Sequence, residues 1–324
     1  MHVLITGGAG FIGSNLAKRL LKEKQVEVTA IDNLSYGLMR NIEDISSSNF
    51  NFIQGDIGNP FVLKHIKFDV IVHLASQKIP RYTNAYRTLE ENNVMLKNVI
   101  RKCLDDDSKL VFASTSDVYG KNPNVPFSEE SDLVLGSSTV KRWAYATSKM
   151  YGEHIIKAHH DEFGLKYAIT RFFGSYGPGQ NLSWWGGPQS VFIDKALNNE
   201  EIEIHGDGLQ TRTFTYVNDT VEALQHLVLD EKSNGEIFNI AGDPKDETTI
   251  LDLGKLIWKL VNGPNSEPNL KLIPYETFGK YEDVMRRVPD ISKIQSFFNY
   301  KPQHHLEDGL LETIEWQKKV LNFQ

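Results

Sequence analysis

The chain opens Val3-Leu4-Ile5-Thr6-Gly7-Gly8-Ala9-Gly10-Phe11-Ile12-Gly13, and this stretch decides how the rest is read. An apolar run of strand type meets a cluster of glycines, and an amphipathic segment with Leu16, Ala17, Leu20 and Leu21 follows. The expected local structure is strand, tight turn, helix. One glycine lets the chain turn sharply, one keeps side chains away from a pyrophosphate, and Gly13 lets helix and strand pack closely. The helix begins near Gly10, Phe11 and Ile12, and its free N–H groups and positive dipole end suit phosphate. A second apolar strand over 26–31 ends at Asp32, about 20 residues beyond the glycines, where a carboxylate accepts hydrogen bonds from an adenosine ribose. The same charge repels a 2′-phosphate, so the cofactor expected is NAD rather than NADP.

The chain has 324 residues and a formal net charge of −7. That length allows about two domains, and the negative balance argues against a nucleic-acid partner bound by counterion release. Cys103 is the only cysteine, which excludes an intramolecular disulfide and suits a reducing cytoplasm. The first strand starts almost at once, so no signal peptide is expected. No apolar run approaches the roughly 20 residues that cross a bilayer, and no membrane partner is expected. The ten histidines show no metal-ligand spacing.

Strand-like and helix-like segments alternate along the first half: strands at 50–53, 69–74, 109–113 and 167–170, with helices over 89–103 and 145–160. This pattern implies an α/β protein, a Rossmann-type doubly wound parallel sheet covered on both faces. Ligands of such sheets sit outside the carboxyl ends of the strands. The first domain is expected over 1–173, with 213–241 returning to it as one more helix and strand. A smaller α/β substrate lobe is expected over 174–324, entered through the turn-rich Gly177-Pro178-Gly179 and Trp184-Trp185-Gly186-Gly187-Pro188. The tryptophans are read as loop caps.

Tyr145-Ala146-Thr147-Ser148-Lys149 places a phenol and an ammonium on one helical face. The ammonium is expected to lower the tyrosine pKa from about 10. A tyrosine so tuned takes a proton from an alcohol while a nicotinamide takes the hydride. The strand end before it, Ser114-Thr115-Ser116-Asp117-Val118-Tyr119-Gly120, adds hydroxyls and a carboxylate.

With these pieces the chain resembles the extended short-chain dehydrogenase/reductases that modify nucleotide sugars. The resemblance runs nearly end to end. It rests on the glycine turn, Asp32-Asn33-Leu34, Gly55-Asp56-Ile57, His73-Leu74-Ala75, Asn93-Val94, the 114–120 strand end, Tyr145 with Lys149, Tyr176-Gly177-Pro178, Gly206-Asp207-Gly208, Gln210-Thr211-Arg212-Thr213-Phe214 and Pro289-Asp290-Ile291. It implies that Tyr145 deprotonates a sugar hydroxyl, usually at C4, that Thr115 hydrogen-bonds that hydroxyl, and that Lys149 holds the nicotinamide ribose. It places Asp32 and Asn33 at the adenine ribose, Asp56 and Ile57 beside the adenine, and Leu74, Ala75 and Ser76 along the dinucleotide. Ser35, Asn93 and Ser114 complete the expected cofactor residues. A homodimer through the helices at 89–103 and 145–160 is also implied.

The resulting 4-keto sugar can lose carbon dioxide, lose water or be reduced from the other face. Thr115-Ser116-Asp117 resembles the Thr-Ser-acid pattern of UDP-glucuronate decarboxylases and GDP-mannose dehydratases, although both usually carry Glu at the third place. Arg287-Val288-Pro289-Asp290-Ile291 and Lys141-Arg142-Trp143 are similar to decarboxylase segments. Most relatives have Asn where Gly174 stands. Lys78, Arg81, Arg212 and Arg287 are the expected contacts to an anionic nucleotide-diphosphate sugar. The reading is a UDP-hexuronate decarboxylase first, a 4,6-dehydratase second and a 4-epimerase third. Outside that class stands a dinucleotide-binding sensor without turnover.

Overall fold

The computed structural model describes residues 1–78, 84–279 and 281–322. Six strands come from the first half: β1 (His2–Thr6), β2 (Glu27–Asp32), β3 (Phe50–Gln54), β4 (Val70–His73), β5 (Lys109–Thr115) and β6 (Tyr167–Phe172). They join Glu236–Ile240 in a seven-stranded sheet, and every neighbouring pair runs parallel. From one edge the order is Glu236–Ile240, β6, β5, β4, β1, β2, β3. The strand order reverses between β1 and β4, and a crevice opens there at the carboxyl ends.

Both faces of the sheet are buried, which is why the strands are apolar almost throughout. Val3 and Ile5 of β1 point to one face, where α1 (Phe11–Leu20) contributes Leu16, Ala17 and Leu20. Leu4 points to the other, with Met95, Leu96 and Val99 of α2 (Ala85–Asp106) and Ile156 of α3 (Trp143–Phe163). This is the two-residue alternation of a strand. α2 begins four residues earlier than its apolar spacing indicates, because the Asn84 side chain caps it by accepting from the Arg87 amide at 3.2 Å. No helix among the described residues is long and apolar enough to cross a membrane.

Beyond β6 the chain forms α4 (Pro188–Leu197), α5 (Val217–Leu229), α6 (Ile250–Asn262) and small sheets of two or three strands. α5 lies against α1 on the large sheet, through buried Val221, Leu224 and Leu227. One small sheet sets the site. Thr211–Arg212 pairs with Thr248–Thr249 on one side and with Arg286–Arg287 on the other. In the second pairing Arg212 stands directly beside Arg287.

The glycine turn is as tight as the spacing requires. Gly7 has φ +72°, a left-handed conformation. A Cβ on Gly13 would lie 2.3 Å from the Gly7 carbonyl oxygen, so the first turn of α1 rests directly on the end of β1. A Gly13→Ala variant should therefore lose roughly 2–3 kcal/mol of stability by overpacking and bind NAD at least about tenfold more weakly, a factor worth about 1.4 kcal/mol. Thermal melting and a dinucleotide titration check both.

Candidate active site

A cleft of about 520 Å³ runs along the carboxyl ends of the central strands. Of the residues expected to hold the cofactor, Gly7, Gly10, Phe11, Ile12, Gly13, Asp32, Asn33, Ser35, Asp56, Ile57, Leu74, Ala75, Ser76 and Ser114 line it. Gly10 caps α1 without a side chain, and helix geometry leaves the first amides without intrahelical acceptors. Asp32 accepts from the Ala9 amide at 3.1 Å and the Leu34 amide at 2.8 Å, which fixes the turn after β2. Burial raises the Asp32 carboxyl above its ordinary value. The exposed orphan amides, the side-chain-free approach at Gly10 and the carboxylate at the end of β2 together fit a bound NAD.

Asn93 is the exception. It does not line the cleft, and its Oδ1 is buried without a hydrogen-bond partner among the described residues. Its neighbour Asn92 does the work on this side. Asn92 Oδ1 accepts from the Gln77 amide at 2.7 Å, and its Nδ2 donates to the Gln77 carbonyl at 3.0 Å and to Ser148 Oγ at 3.1 Å. It ties the loop after β4 to α3, one residue before Lys149. The signal was available: Asn92 lies on the buried stripe of α2 with Thr88, Met95, Leu96 and Val99.

Thr115 ends β5, and Ser116–Tyr119 forms a single tight helical turn beyond it. Thr115 Oγ1 accepts from the Asp117 amide at 3.2 Å. Thr115, Asp117, Tyr145 and Lys149 all line the cleft. The tyrosine differs from expectation. Burial pushes its pKa up, the charge on Asp117 adds to this, and hydrogen bonds with Ser76 and Thr115 offset only part. Lys149 does not relieve it, because its Nζ lies 4.8 Å over the Phe112 ring and 5.9 Å from the Tyr145 ring centre. Burial brings Lys149 down to about 7, against a smaller upward pull from Glu153.

Asp117 lies at the centre of an ion cluster. Arg287 Nη2 donates to its Oδ1 at 2.6 Å and Arg142 Nη2 at 3.3 Å. Arg142 also reaches Asp283 at 3.5 Å, and Arg212 pairs with Asp283 at 2.9 Å. Burial pushes Asp117 up, but Arg287, Arg142 and Arg212 outweigh it and hold it at about 2. Ser116 does not line the cleft and meets the site through Arg287, whose Nη1 donates to its Oγ at 3.2 Å.

Arg212, expected to meet substrate, is used up inside the protein. Its guanidinium donates to the carbonyls of Thr211 and Val284, both at 2.7 Å, and to Asp283, and it does not line the cleft. Arg287 does line it, as does the exposed Lys78. Arg81 lies outside the described residues. The tryptophans are more than loop caps: Trp184 and Trp185 both form part of the cleft wall. Arg142 and Tyr281 line it too, which spacing alone does not reveal. Gly174 has φ +52°, and a Cβ there would meet the Phe214 ring at 3.0 Å. Asn also adopts that backbone region, so the departure from the usual Asn is not forced by conformation.

Removing the Asp117 charge leaves three guanidinium groups around Asp283. Asp117→Asn should cost about 2 kcal/mol of unfolding free energy near neutral pH. A carboxyl depressed by folding stabilises above its unfolded pKa of about 3.9 and loses that contribution as pH falls through about 2. Denaturant titrations of both proteins should therefore show a gap that is full at pH 6 and shrinks steadily below about pH 4.

Comparisons with known proteins agree with this geometry. Residues 3–241 match the model of the NAD dependent epimerase/dehydratase family. The chain is 35% identical over 327 residues to UDP-N-acetyl-alpha-D-glucosaminuronate decarboxylase of Bacillus cytotoxicus, covering 98% of each. It is 34% identical to UDP-glucuronic acid decarboxylase 1 of Danio rerio, covering 100% of this chain and 74% of that one. Among solved structures it resembles UDP-glucuronic acid 4-epimerase from Bacillus cereus, in complex with UDP-glucuronic acid and NAD, with a TM-score of 0.86, 28% identity, and 99% and 100% of the two chains covered. The dTDP-glucose 4,6-dehydratase DesIV of Streptomyces venezuelae, with NAD bound, matches with a TM-score of 0.88 at 26% identity, covering 100% and 98%. A shared sheet, glycine turn and tyrosine–lysine pair thus coincide with a family match over most of the chain: it is an enzyme of the NAD dependent epimerase/dehydratase family, with NAD as its cofactor.

Proposed function

We propose that this protein decarboxylates a UDP-hexuronate through a 4-keto sugar. The observation that carries the reading is the charge imbalance at the sugar end of the cleft. Arg142, Arg212 and Arg287 share two carboxylates, Asp117 and Asp283, and Arg142 and Arg287 line the cleft beside Tyr145. One positive charge is left over, and a sugar carboxylate would neutralise it. Guanidinium is the group best shaped for that contact. The relatives named above include two decarboxylases and one epimerase of UDP-linked uronic acids.

The residues then divide the chemistry. The first-domain residues of the cleft, before 174, hold the dinucleotide, and the later lobe holds the nucleotide sugar with Lys78 and Arg287. A bound NAD would supply the acceptor and later the donor of the C4 hydride, and its nicotinamide ring would carry a positive charge. Tyr145 takes the C4 hydroxyl proton, with Thr115 hydrogen-bonding the same oxygen and Lys149 holding the ribose. The C4 carbonyl lies β to the C6 carboxylate. When the C5–C6 bond breaks, carbon dioxide leaves and its electron pair moves into the C4 carbonyl. A proton at C5 restores the ketone. Asp117, kept ionised by its arginines, limits how far the sugar carboxylate is neutralised, and so leaves its charge free to move.

Supplied with UDP-glucuronate or its 2-acetamido analogue, the enzyme should release carbon dioxide and a UDP-pentose, read by mass spectrometry. Retention of the carboxylate with inversion at C4 would instead establish the epimerase, and loss of water the dehydratase. Tyr145→Phe should lower kcat by about 10² to 10⁴, the usual worth of a positioned general base. Undiminished turnover in that variant would defeat the mechanism.

We further propose a cytoplasmic homodimer. A groove between α2 and α3 is lined by Ile100, Leu104, Ile155 and Phe163, and Phe163 is 63% exposed. The lone cysteine, buried Cys103, fits a reducing compartment. Sedimentation should give twice the chain mass at micromolar concentration; a monomer there would remove the dimer.

A further inference from the structure

Tyr36 and Trp185 stack on each other, with ring centres 4.0 Å apart and planes 31° from parallel. The two rings come from distant stretches of chain that form opposite walls of one cleft. Tyr36 belongs to the turn after β2. That turn is pinned to the glycine loop, because the Leu38 amide donates to the Ala9 carbonyl at 2.9 Å and the Leu34 amide to Asp32. Gly37 sits so close that a Cβ there would lie 2.5 Å from an Asp32 carboxylate oxygen.

Trp185 belongs to the turn leading into α4, which is equally well built. The Gly186 amide donates to the Ser183 carbonyl at 2.8 Å, and Ser190 Oγ to the Asn181 carbonyl at 2.7 Å. Trp184 roots the turn by stacking on His205, ring centres 4.7 Å apart. The walls are also joined lower down: Asn15 and Asn41 donate to the carbonyls of Pro178 and Gly179 at 3.0 and 3.1 Å. Tyr36 is 37% exposed, so the stack sits at the rim and is not part of the core.

We propose that the Tyr36–Trp185 stack is a clasp that retains the dinucleotide. Both rings share the cleft with Gly10, Phe11 and Asp32, so a dinucleotide seated on α1 lies in the cleft that the ring contact bridges. Each wall is held by its own hydrogen bonds and the two are joined by Asn15 and Asn41, which leaves the ring contact at the rim as the place where opening occurs. The benefit of such retention rests on the redox-neutral cycle proposed above, in which a dinucleotide lost after the first hydride transfer strands the keto sugar. The retention itself needs no substrate and is tested without one.

The protein is loaded with NADH and chased with excess NAD, and the loss of bound-NADH fluorescence gives the release rate. Trp185→Ala and Tyr36→Ala should each speed release roughly three- to tenfold, the factor to which an aromatic pair converts. The double variant should be no faster than the single ones, since all three lack the same contact. Trp185→Phe, which keeps a ring, should restore slow release. Unchanged release in Tyr36→Ala, whose side chain is on the surface and whose loss leaves folding intact, would overturn the clasp. So would multiplication of the two effects in the double variant. Because no nucleotide sugar is present, the clasp can fail while the decarboxylase reading stands, and the reverse.

Discussion

Three guanidinium groups and two carboxylates occupy one largely dry site, and their charges do not cancel. This constraint organises the functional half of the molecule. Arg287 comes from the short strand Arg286–Arg287, Asp117 from the turn after β5, and Arg142 from the residue before α3. Their attraction fastens the late segment to the strand ends where the tyrosine stands. A single buried cation would be costly without partners; here two carboxylates carry most of the cost. One positive charge remains, so the cluster that closes the fold is also the one that, in the proposed function, would receive an anionic ligand.

Behind the cluster runs a second polar ladder that sets the angle of α3. Arg171 on β6 donates twice to Glu153 of α3, at 3.1 and 2.7 Å, and once to Tyr119 at 2.9 Å. Tyr119 donates to Asn239 at 2.7 Å, and Asn239 donates in turn to the carbonyls of Phe127 and Asp290 at 2.8 and 3.0 Å. Ser114 also donates to Glu153. The chain of bonds reaches from the helix bearing Tyr145 and Lys149, through two neighbouring strands, to the segment just past Arg287. A buried network of this kind is rigid when every member is satisfied. It leaves α3 little freedom to rotate, which the proton transfer proposed for Tyr145 would require.

What could be read beforehand follows from the range of each interaction. The parallel sheet, the glycine turn, Asp32 and the Tyr145–Lys149 pair are local patterns, in which residues a few positions apart decide the geometry. The fate of Arg212 is not local. It stands in register beside Arg287, and only the fold brings Asp283 to it before substrate can. The raised pKa of Tyr145 was hidden for a similar reason. Helical spacing puts the lysine on the right face, but Phe112, from β5, draws the ammonium toward its ring, and burial decides the rest. Asn92 and Asn93 show the finer limit: adjacent helix positions point about 100° apart, and only the fold shows that Asn92 ties the loop after β4 to α3.

The buried tyrosine and the low-pKa lysine therefore make one statement about chemistry. Burial raises the pKa of the Tyr145 phenol and lowers that of the Lys149 ammonium to about 7. Both desolvation costs fall on charged forms, so charge is disfavoured at the tyrosine–lysine pair and gathered in the arginine cluster, where one positive charge is in surplus. A bound nicotinamide ring would supply a positive charge beside the phenol and favour the phenolate. In the proposed mechanism, base strength at Tyr145 would then depend on the cofactor lying beside it. In the mechanism proposed above the hydroxyl proton and the C4 hydride would leave together, the first to Tyr145 and the second to a nicotinamide ring beside it.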